Sequence, residues 1–398
     1  MALGFAGLAM LGLQFALTAR FRWATAPFGM DIIYYFHRWA AVGAVGLVVA
    51  HYAILRVRYG DALGAWHPLT APWTLTAGRL SLLLFIFVLV TSLWRKPLGL
   101  DYDRWRIWHG VLATAAVALA IAHVVGVGHF TAAPWKRVTW IGYSVLWLLL
   151  LGYIRVLQPL ALRRRPYRVT GVKAERGDTW TLTLQPENHP GMRFQPGQFA
   201  WLTLGASPFR AQEHPFSFSG SAEESAALQF SIKELGDFTR TIRHTKIGEI
   251  AYVEGPHGVF TIDRHRDALG FVFLAGGVGI APLMSMLRTL ADRRDPRPVH
   301  LVYGNARWER VIFREEIAAL QSRLDLTFTH VLQEPPAGWS GLTGMLTEDN
   351  LRAALPPATR SFVHFVCGPR PMTDSIQGTL RALGVPLRRV HFELFDMA

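Results

Sequence analysis

The residues best placed to do chemistry are four histidines in two matched pairs. The stretch "HRWAAVGAVGLVVAH" sets His37 and His51 at the ends of thirteen mostly apolar residues, and "HGVLATAAVALAIAH" repeats the spacing with His109 and His123. On an α-helix, fourteen steps of ~100° bring the rings of a pair within about 40° of each other, ~21 Å apart along the axis. Each pair therefore lies on one face, near opposite sides of a ~30 Å hydrocarbon layer. Two such helices side by side present four imidazoles in two tiers. Each tier offers two axial nitrogens to one haem iron. A lone histidine on an apolar helix is ordinarily a satisfied core or interfacial residue. The repeated spacing inside two membrane-length segments points elsewhere, because intramembrane polar groups are costly and usually functional. Zinc fits poorly: the histidines of a pair are too far apart to share an ion, and the single cysteine, Cys367, lies elsewhere.

These histidines need apolar helices to carry them. Residues 1–160 are poor in charge and rich in Leu, Ala, Val and Trp, whereas 166–398 have the composition of a soluble protein. Five membrane segments are expected, at roughly 2–19, 31–57, 78–94, 104–127 and 137–158. The first lacks a basic n-region and a clear cleavage site, so it reads as a retained helix rather than a signal peptide. Trp66, Trp73, Trp94, Trp105, Trp108 and Trp135 crowd the segment ends as an aromatic belt would.

Loop charges orient the bundle. Arg20, Arg22, Arg95, Lys96, Arg104, Arg106 and Arg163 to Arg165 outnumber Arg56, Arg58, Arg79, Lys136 and Arg137 on the other side. The richer side is cytoplasmic by the positive-inside rule. The N-terminus then lies outside and the soluble half lies in the cytoplasm, attached to the inner membrane. His37 faces His109 near the cytoplasm, and His51 faces His123 near the outside. The net charge of +13 suits anionic lipid headgroups and anionic cofactors. No basic helix, finger or RNP-like run points to nucleic acid. One cysteine excludes an internal disulfide framework. No motif specifies an oligomeric state.

After "RRRPYRV" the pattern changes to short β-like runs separated by Gly, Pro and Asp turns, which read as a small antiparallel barrel over about 166–264. From residue 270 strands alternate with helices, the signature of a parallel α/β sheet. Within it, "FLAGGVGIAPLMSML" reads as strand, glycine turn and helix. Gly276, Gly277 and Gly279 would let the backbone approach a pyrophosphate at a helix N-terminus, with Pro282 near the helix start. A tight strand-to-helix turn is the plainer alternative.

Three further stretches follow in order: "HPFSFSG" with a Ser beside aromatics, "FVCGPRPM" ending a strand on a Cys, and the terminal "HFELFDMA". In this order they resemble the ferredoxin-NADP reductase family. Joined to the histidine-bearing helices, the whole chain resembles the ferric reductase and NADPH oxidase superfamily. The resemblance implies a multi-domain membrane protein: an α-helical transmembrane haem bundle (1–162), an FAD-binding antiparallel β-barrel (166–265) and an NAD(P)H-binding parallel α/β domain (266–398).

The resemblance also implies roles. His214, Pro215, Phe216 and Ser217 match the flavin motif, with Phe216 and Ser217 bordering the isoalloxazine. Lys233 and the backbone of Gly236, Asp237, Phe238 and Thr239 would meet the FAD pyrophosphate. "EGPHGVF" matches the turn closing the barrel. Gly277 to Pro282 would hold the nucleotide pyrophosphate, and Cys367, Gly368 and Pro369 would sit beside the nicotinamide. Glu393 and Phe395 match a terminal acid-x-aromatic pattern in which the aromatic covers the flavin until nicotinamide displaces it. Ser217, Cys367, Glu393 and Phe395 form the implied hydride site. Arg307 follows the strand "VHLVYGN", where a 2′-phosphate partner would lie; an exposed loop arginine is the alternative, so NADPH is expected with NADH left open.

The implied activity passes electrons from NADPH through FAD and two bis-His b haems to dioxygen on the outer side, giving superoxide. A ferric chelate, quinone or partner protein is the alternative acceptor. A haem-bearing channel or redox sensor is the non-enzyme alternative. Two departures from the superfamily stand out. It usually has six membrane helices, and five are read, the first being absent or cut off here. Animal oxidases carry a polar His one turn beyond the outer haem ligand, where this chain has Leu55 and then Arg56.

Overall fold

Apolar runs free of internal proline close their own backbone hydrogen bonds as helices, which is what a hydrocarbon layer requires. In a computed structural model of the protein, residues 1–21, 29–64, 67, 70–210, 212–224 and 226–393 are described. Arg22, Trp66 and Phe395 lie outside the described residues. The chain divides into two compact units, one made of Met1–Thr25 and Ile32–Leu160, the other built on Ala161–Ala398.

The first unit contains α1 (Ala2–Thr18), α2 (Met30–Arg58), α3 (Trp73–Leu93), α4 (Tyr102–Val127) and α5 (Pro134–Gly152). One π-helical turn, Tyr153–Leu157, carries α5 into the short α6 (Gln158–Arg163). Ile32–Arg58, Trp73–Leu93, Tyr102–Val127 and Pro134–Arg163 are long and apolar enough to cross a membrane. The expectation of five membrane segments is thus met by four of span length. With 17 residues, α1 reaches about 25 Å at 1.5 Å per residue, short of a ~30 Å layer. Three spans also begin earlier than the apolar pattern indicated, at Trp73, Tyr102 and Pro134. Proline is tolerated in a first helical turn because its missing N–H has no partner there anyway, so Pro134 starts α5. Asp101 caps α4 by accepting from the Arg104 N–H at 3.0 Å.

Side chains tie these helices together. Ser81 on α3 donates to the Ala116 carbonyl of α4 at 2.8 Å, and the Tyr143 hydroxyl on α5 reaches the Leu8 and Ala9 carbonyls of α1. Leu8, Leu11, Ala44, Val45, Phe85, Ala116, Val117, Ala120 and Trp147, drawn from all five long helices, form one buried apolar layer. Ala44 and Ala116 each stand seven residues beyond the first histidine of their helix, so this layer separates the two histidine tiers.

The second unit begins with six strands: β1 (Tyr167–Ala174), β2 (Thr179–Pro186), β3 (Phe199–Leu204), β4 (His214–Ser217), β5 (Leu228–Lys233) and β6 (Ile250–His257). They pair antiparallel in the order β4-β3-β6-β1-β2-β5. A bridge from Phe218 to Phe230 joins the two ends of the order and curls the sheet on itself. A short helix, α7 (Asp237–Thr241), follows β5.

Six parallel strands follow: β7 (Phe271–Gly276), β8 (Val299–Arg307), β9 (Leu326–Glu334), β10 (Leu342–Thr343), β11 (Val363–Cys367) and β12 (Val390–Glu393), in the order β10-β9-β8-β7-β11-β12. The helices are α8 (Ile280–Arg293), α9 (Arg314–Leu320), α10 (Glu348–Ala354) and α11 (Arg370–Ala382). Alternation along β7 sorts its side chains. Phe271, Phe273 and Ala275 pack with Leu283 and Leu287 of α8, whereas Val272 and Leu274 pack with Leu351 of α10 and Ile376 of α11. Both faces are covered, as an all-parallel sheet requires. The chain runs outward from β7 to β10, then returns to place β11 on β7's other side. The crevice between β7 and β11 is therefore the topological switch point, where open α/β sheets bind ligands.

Candidate functional site

In the membrane unit, His37 and His109 come together edge-on, with ring centroids 6.4 Å apart and ring planes 65° apart. Two metal–nitrogen bonds of about 2 Å plus two ring half-widths of about 1.2 Å span about 6.4 Å, so one iron fits between them. Hydrogen bonds fix the tautomers. Ser92 gives its one hydroxyl proton to the Val88 carbonyl at 2.5 Å, so its oxygen accepts from His109 Nδ1–H at 3.1 Å. His123 Nδ1 donates to the Thr74 carbonyl at 2.8 Å. Both α4 histidines thus keep the Nε2 lone pair free, the arrangement in which an outer hydrogen bond orients a metal-ligating imidazole. His37 Nδ1 and His51 Nδ1 on α2 are buried with no hydrogen-bond partner. Space at the second tier is set by glycines: a Cβ on Gly4 would come within 2.8 Å of the His51 ring, and one on Gly78 within 2.7 Å of the His123 ring. Among the described residues no group of three His, Cys, Asp or Glu could hold a metal ion. The His37–His109 separation fits a bis-imidazole site for one iron.

In the soluble unit, the strand–turn–helix around Gly276 forms as expected. β7 ends at Gly276, one 3-10 turn spans Gly277–Gly279, and α8 follows with Pro282 buried in its first turn. The glycines divide the work. Gly277 has φ +54 and open space around it, so only its backbone angle demands glycine. Gly279 is confined by the Cys367 carbonyl and the Gly368 backbone, and Gly276 by Met372 and Pro369. The two loops beside the switch point are therefore interlocked, with Met372 filling the space between them. Buried Tyr303 on β8 donates to the Gly277 carbonyl at 3.0 Å and pins the turn from below. Burial, then the charge of Glu393, pushes the Cys367 thiol up, so the sulfur stays protonated. Glu393 stands opposite Cys367 in the β11–β12 register.

On the barrel, His214 stacks on Phe238 at 4.0 Å, and Phe216 lies 6.1 Å from the same ring. The β4 motif and the α7 segment are thereby brought together. Thr239 fixes the α7 entry by accepting from the Leu235 and Gly236 N–H groups, each at 2.8 Å. Ser217 is buried at the end of β4, Pro215 pairs with Trp201 in the β3–β4 ladder, Lys233 ends β5 half-buried, and Asp237 is exposed. Arg288 on α8 donates to the Ser219 carbonyl at 2.7 Å and to Gln229 Oε1 at 3.0 Å, while a double hydrogen bond holds it to Glu316. It links the strand carrying Ser217 to the helix that starts at the glycine turn. Arg307 stands apart at the end of β8, ion-paired to Glu334. Ser92, Thr74, Tyr303, Met372, Arg288 and Glu334 were not singled out by sequence reasoning. Each acts through a partner distant in sequence; Met372, though inside the quoted "FVCGPRPM", packs against Gly276.

Comparison with known proteins assigns three segments. Residues 3–120 match the ferric reductase like transmembrane component, 166–260 an FAD-binding domain, and 273–378 the oxidoreductase NAD-binding domain. The chain is 30% identical over 236 residues to the reductase component of propane 2-monooxygenase of Rhodococcus jostii (strain RHA1), covering 57% of this chain and 62% of that protein. It is 32% identical over 170 residues to NADH-cytochrome b5 reductase 1 of Laccaria bicolor, covering 41% and 54%. It thus spans less than two thirds of the length of these curated relatives. The ferredoxin reductase in carbazole 1,9a-dioxygenase shares the fold of 58% of this chain, with a TM-score of 0.51, 24% identity and 69% of its own length covered.

Proposed function

The chain belongs to the ferric reductase and NADPH oxidase superfamily, and on that premise we propose that it carries electrons from NAD(P)H across a membrane, by way of FAD and two bis-His b haems, to dioxygen, giving superoxide. It is an NAD(P)H-dependent flavin oxidoreductase with a ferric reductase membrane domain. The observation that carries the finer reading is the His37–His109 pair, whose 6.4 Å ring separation admits one iron. The working domains are 1–162, 166–265 and 266–398, with the soluble domains on the cytoplasmic side of the inner membrane and the His51–His123 tier toward the outside.

When bound, FAD would supply hydride acceptance and two-to-one electron conversion, and the haems would supply the one-electron route through the bilayer. The protein's own groups do the positioning. Gly277 and the N-terminal turn of α8 present backbone N–H groups to a pyrophosphate. Cys367, Gly368 and Pro369 border the place of the nicotinamide, with Glu393 opposite Cys367. His214, Phe216 and Phe238 form an aromatic wall beside Ser217 for the flavin. Phe395, outside the described residues, is the aromatic that the terminal sequence pattern assigns to the flavin face. Ser92 and Thr74 engage Nδ1 of the α4 imidazoles, which would leave Nε2 free to bind a haem iron.

Dioxygen is preferred because it needs no dedicated pocket. An anionic ferric chelate would need cations near the His51–His123 tier. There Arg56 donates to the Gly60 carbonyl at 3.2 Å and Arg79 to the Leu63 carbonyl at 2.6 Å, contacts that orient both guanidiniums and leave their charge, like that of exposed Arg58, in place. Leu55, in place of a polar neighbour, favours the second reading, ferric-chelate reduction. The test is cytochrome c reduction driven by NAD(P)H with and without superoxide dismutase, repeated without oxygen on a ferric chelate. Dismutase-sensitive reduction is expected. Dismutase-insensitive reduction with fast anaerobic chelate turnover would replace the oxidase with a metal reductase.

A further inference from the structure

We propose that Glu334 makes this site select NADH over NADPH, by engaging Arg307 and by offering the adenosine ribose a carboxylate where NADPH needs a phosphate pocket. The proposal rests on the hydride-transfer reading above and names the coenzyme for that same site. It reverses the sequence expectation of NADPH.

The argument starts from sheet register. Gly276 at the end of β7 pairs with Gly304 of β8, and three residues further on Arg307 pairs with Glu334 of β9. Both residues end their strands, so both project from the carboxyl edge of the sheet on the side where the glycine turn lies. A dinucleotide with its pyrophosphate at the start of α8 extends its adenosine half along that edge. In such sheets an acid at this level accepts from the ribose 2′-hydroxyl, whereas an arginine accommodates a 2′-phosphate. This chain has both, bonded to each other. Arg307 Nε lies 2.7 Å and its terminal nitrogen 2.6 Å from the same oxygen, Glu334 Oε2. Glu334 Oε1 remains for a ribose hydroxyl.

Both side chains are more than half exposed, at 57% and 61%. An exposed ion pair of this kind is weak and yields readily to a ligand. The sign of Glu334 does not yield. A 2′-phosphate, with a charge near −2 at neutral pH, would have to break this pair to recruit Arg307 and would still meet the Glu334 carboxylate at the same strand edge. The 2′-hydroxyl of NADH donates to that carboxylate and leaves the pair intact. The neighbouring cation Arg314 is engaged elsewhere, stacked on Trp308 and hydrogen-bonded to Glu315.

The experiment measures dissociation constants of NADH and NADPH for the full flavin-loaded chain, together with kcat/KM for anaerobic flavin reduction by each. The wild type is expected to favour NADH at least tenfold in both readouts. Glu334→Gln should cut that preference at least fivefold, through Kd and KM for NADPH, and Arg307→Ala should raise it. A wild type that favours NADPH, or a Glu334→Gln preference changed less than fivefold, would overturn the proposal while leaving hydride transfer standing. A chain that binds and is reduced by neither coenzyme would overturn both.

Discussion

At the switch point of the soluble unit, two loops lock each other: Gly279 lies under the Cys367 carbonyl and Met372 fills the gap beside Gly276. In the membrane unit, glycines instead make room for single rings: Gly4 lies against the His51 ring and Gly78 against the His123 ring. The buried Nδ1 atoms of His37 and His51 also have no hydrogen-bond partner. The nucleotide crevice is therefore shaped by its own packing, whereas the α2 histidines keep ring nitrogens that the protein itself does not engage. Preorganisation by interlocked backbone suits a ligand that comes and goes. A resident group can instead be part of the packing that holds its site together.

The largest expected effect tests the membrane side of this contrast. His109→Leu should lose one of two haems per chain, counted by absorbance, and cut electron delivery to any acceptor at least a hundredfold. His129→Leu, whose ring packs on Phe130, should keep both haems. Loss of a haem from His129→Leu but not from His123→Leu would break the tier assignment.

Next comes the interlocked crevice. Gly279→Val would drive a branched side chain into the Cys367 carbonyl and part the two loops. Flavin reduction by NADH, followed by stopped flow, should slow at least tenfold with haem content unchanged. An unaltered rate would mean that the crevice is not tight.

A smaller effect is expected at the strut between barrel and sheet. Arg288→Met removes the bonds to Ser219, Gln229 and Glu316. Hydrogen bonds to a charged group contribute about 1.5–3 kcal/mol. Thermal unfolding of the soluble unit, followed by flavin fluorescence, should fall by roughly 4–10 °C. An unchanged midpoint would show the strut to be dispensable.

The gentlest effect is a pH slope. Burial is the main cause that pushes His364 down to about 4, and its ring is wholly buried on β11. In the unfolded chain it binds a proton below about 6.5. Between these values the unfolded state holds the extra proton, so stability falls as pH drops, by about 1.4 kcal/mol per pH unit for this one group. Above pH 6.5 the group contributes no slope. His364→Phe should flatten unfolding midpoints measured from pH 6.5 to 5; an equal slope in both proteins would remove His364 from the account.

Much of this was legible in the chain because it repeats with a fixed period. The histidine spacing needs only 3.6 residues per turn, and the glycine turn needs only its strand and helix. Span length was less legible: α1 is as apolar as its neighbours but too short, and proline and tryptophan extend α3 and α5 beyond the apolar pattern. Partners formed by sheet order were not legible. Arg307 read as a phosphate ligand because nothing local announces Glu334, 27 residues on, as its neighbour. Tyr303 likewise reads as core until the β7–β8 register places it under Gly277.

The central claim is that one chain joins a nucleotide crevice to two histidine-held haems. Its most direct test is NADH added without oxygen to the purified full chain, with flavin and haem spectra recorded together. The account predicts two b haems per wild-type chain, both reduced after the flavin, while His109→Leu keeps a reducible flavin and an oxidised remaining haem. Fewer than two haems in the intact protein, or a reduced flavin beside haems that stay oxidised, would contradict it.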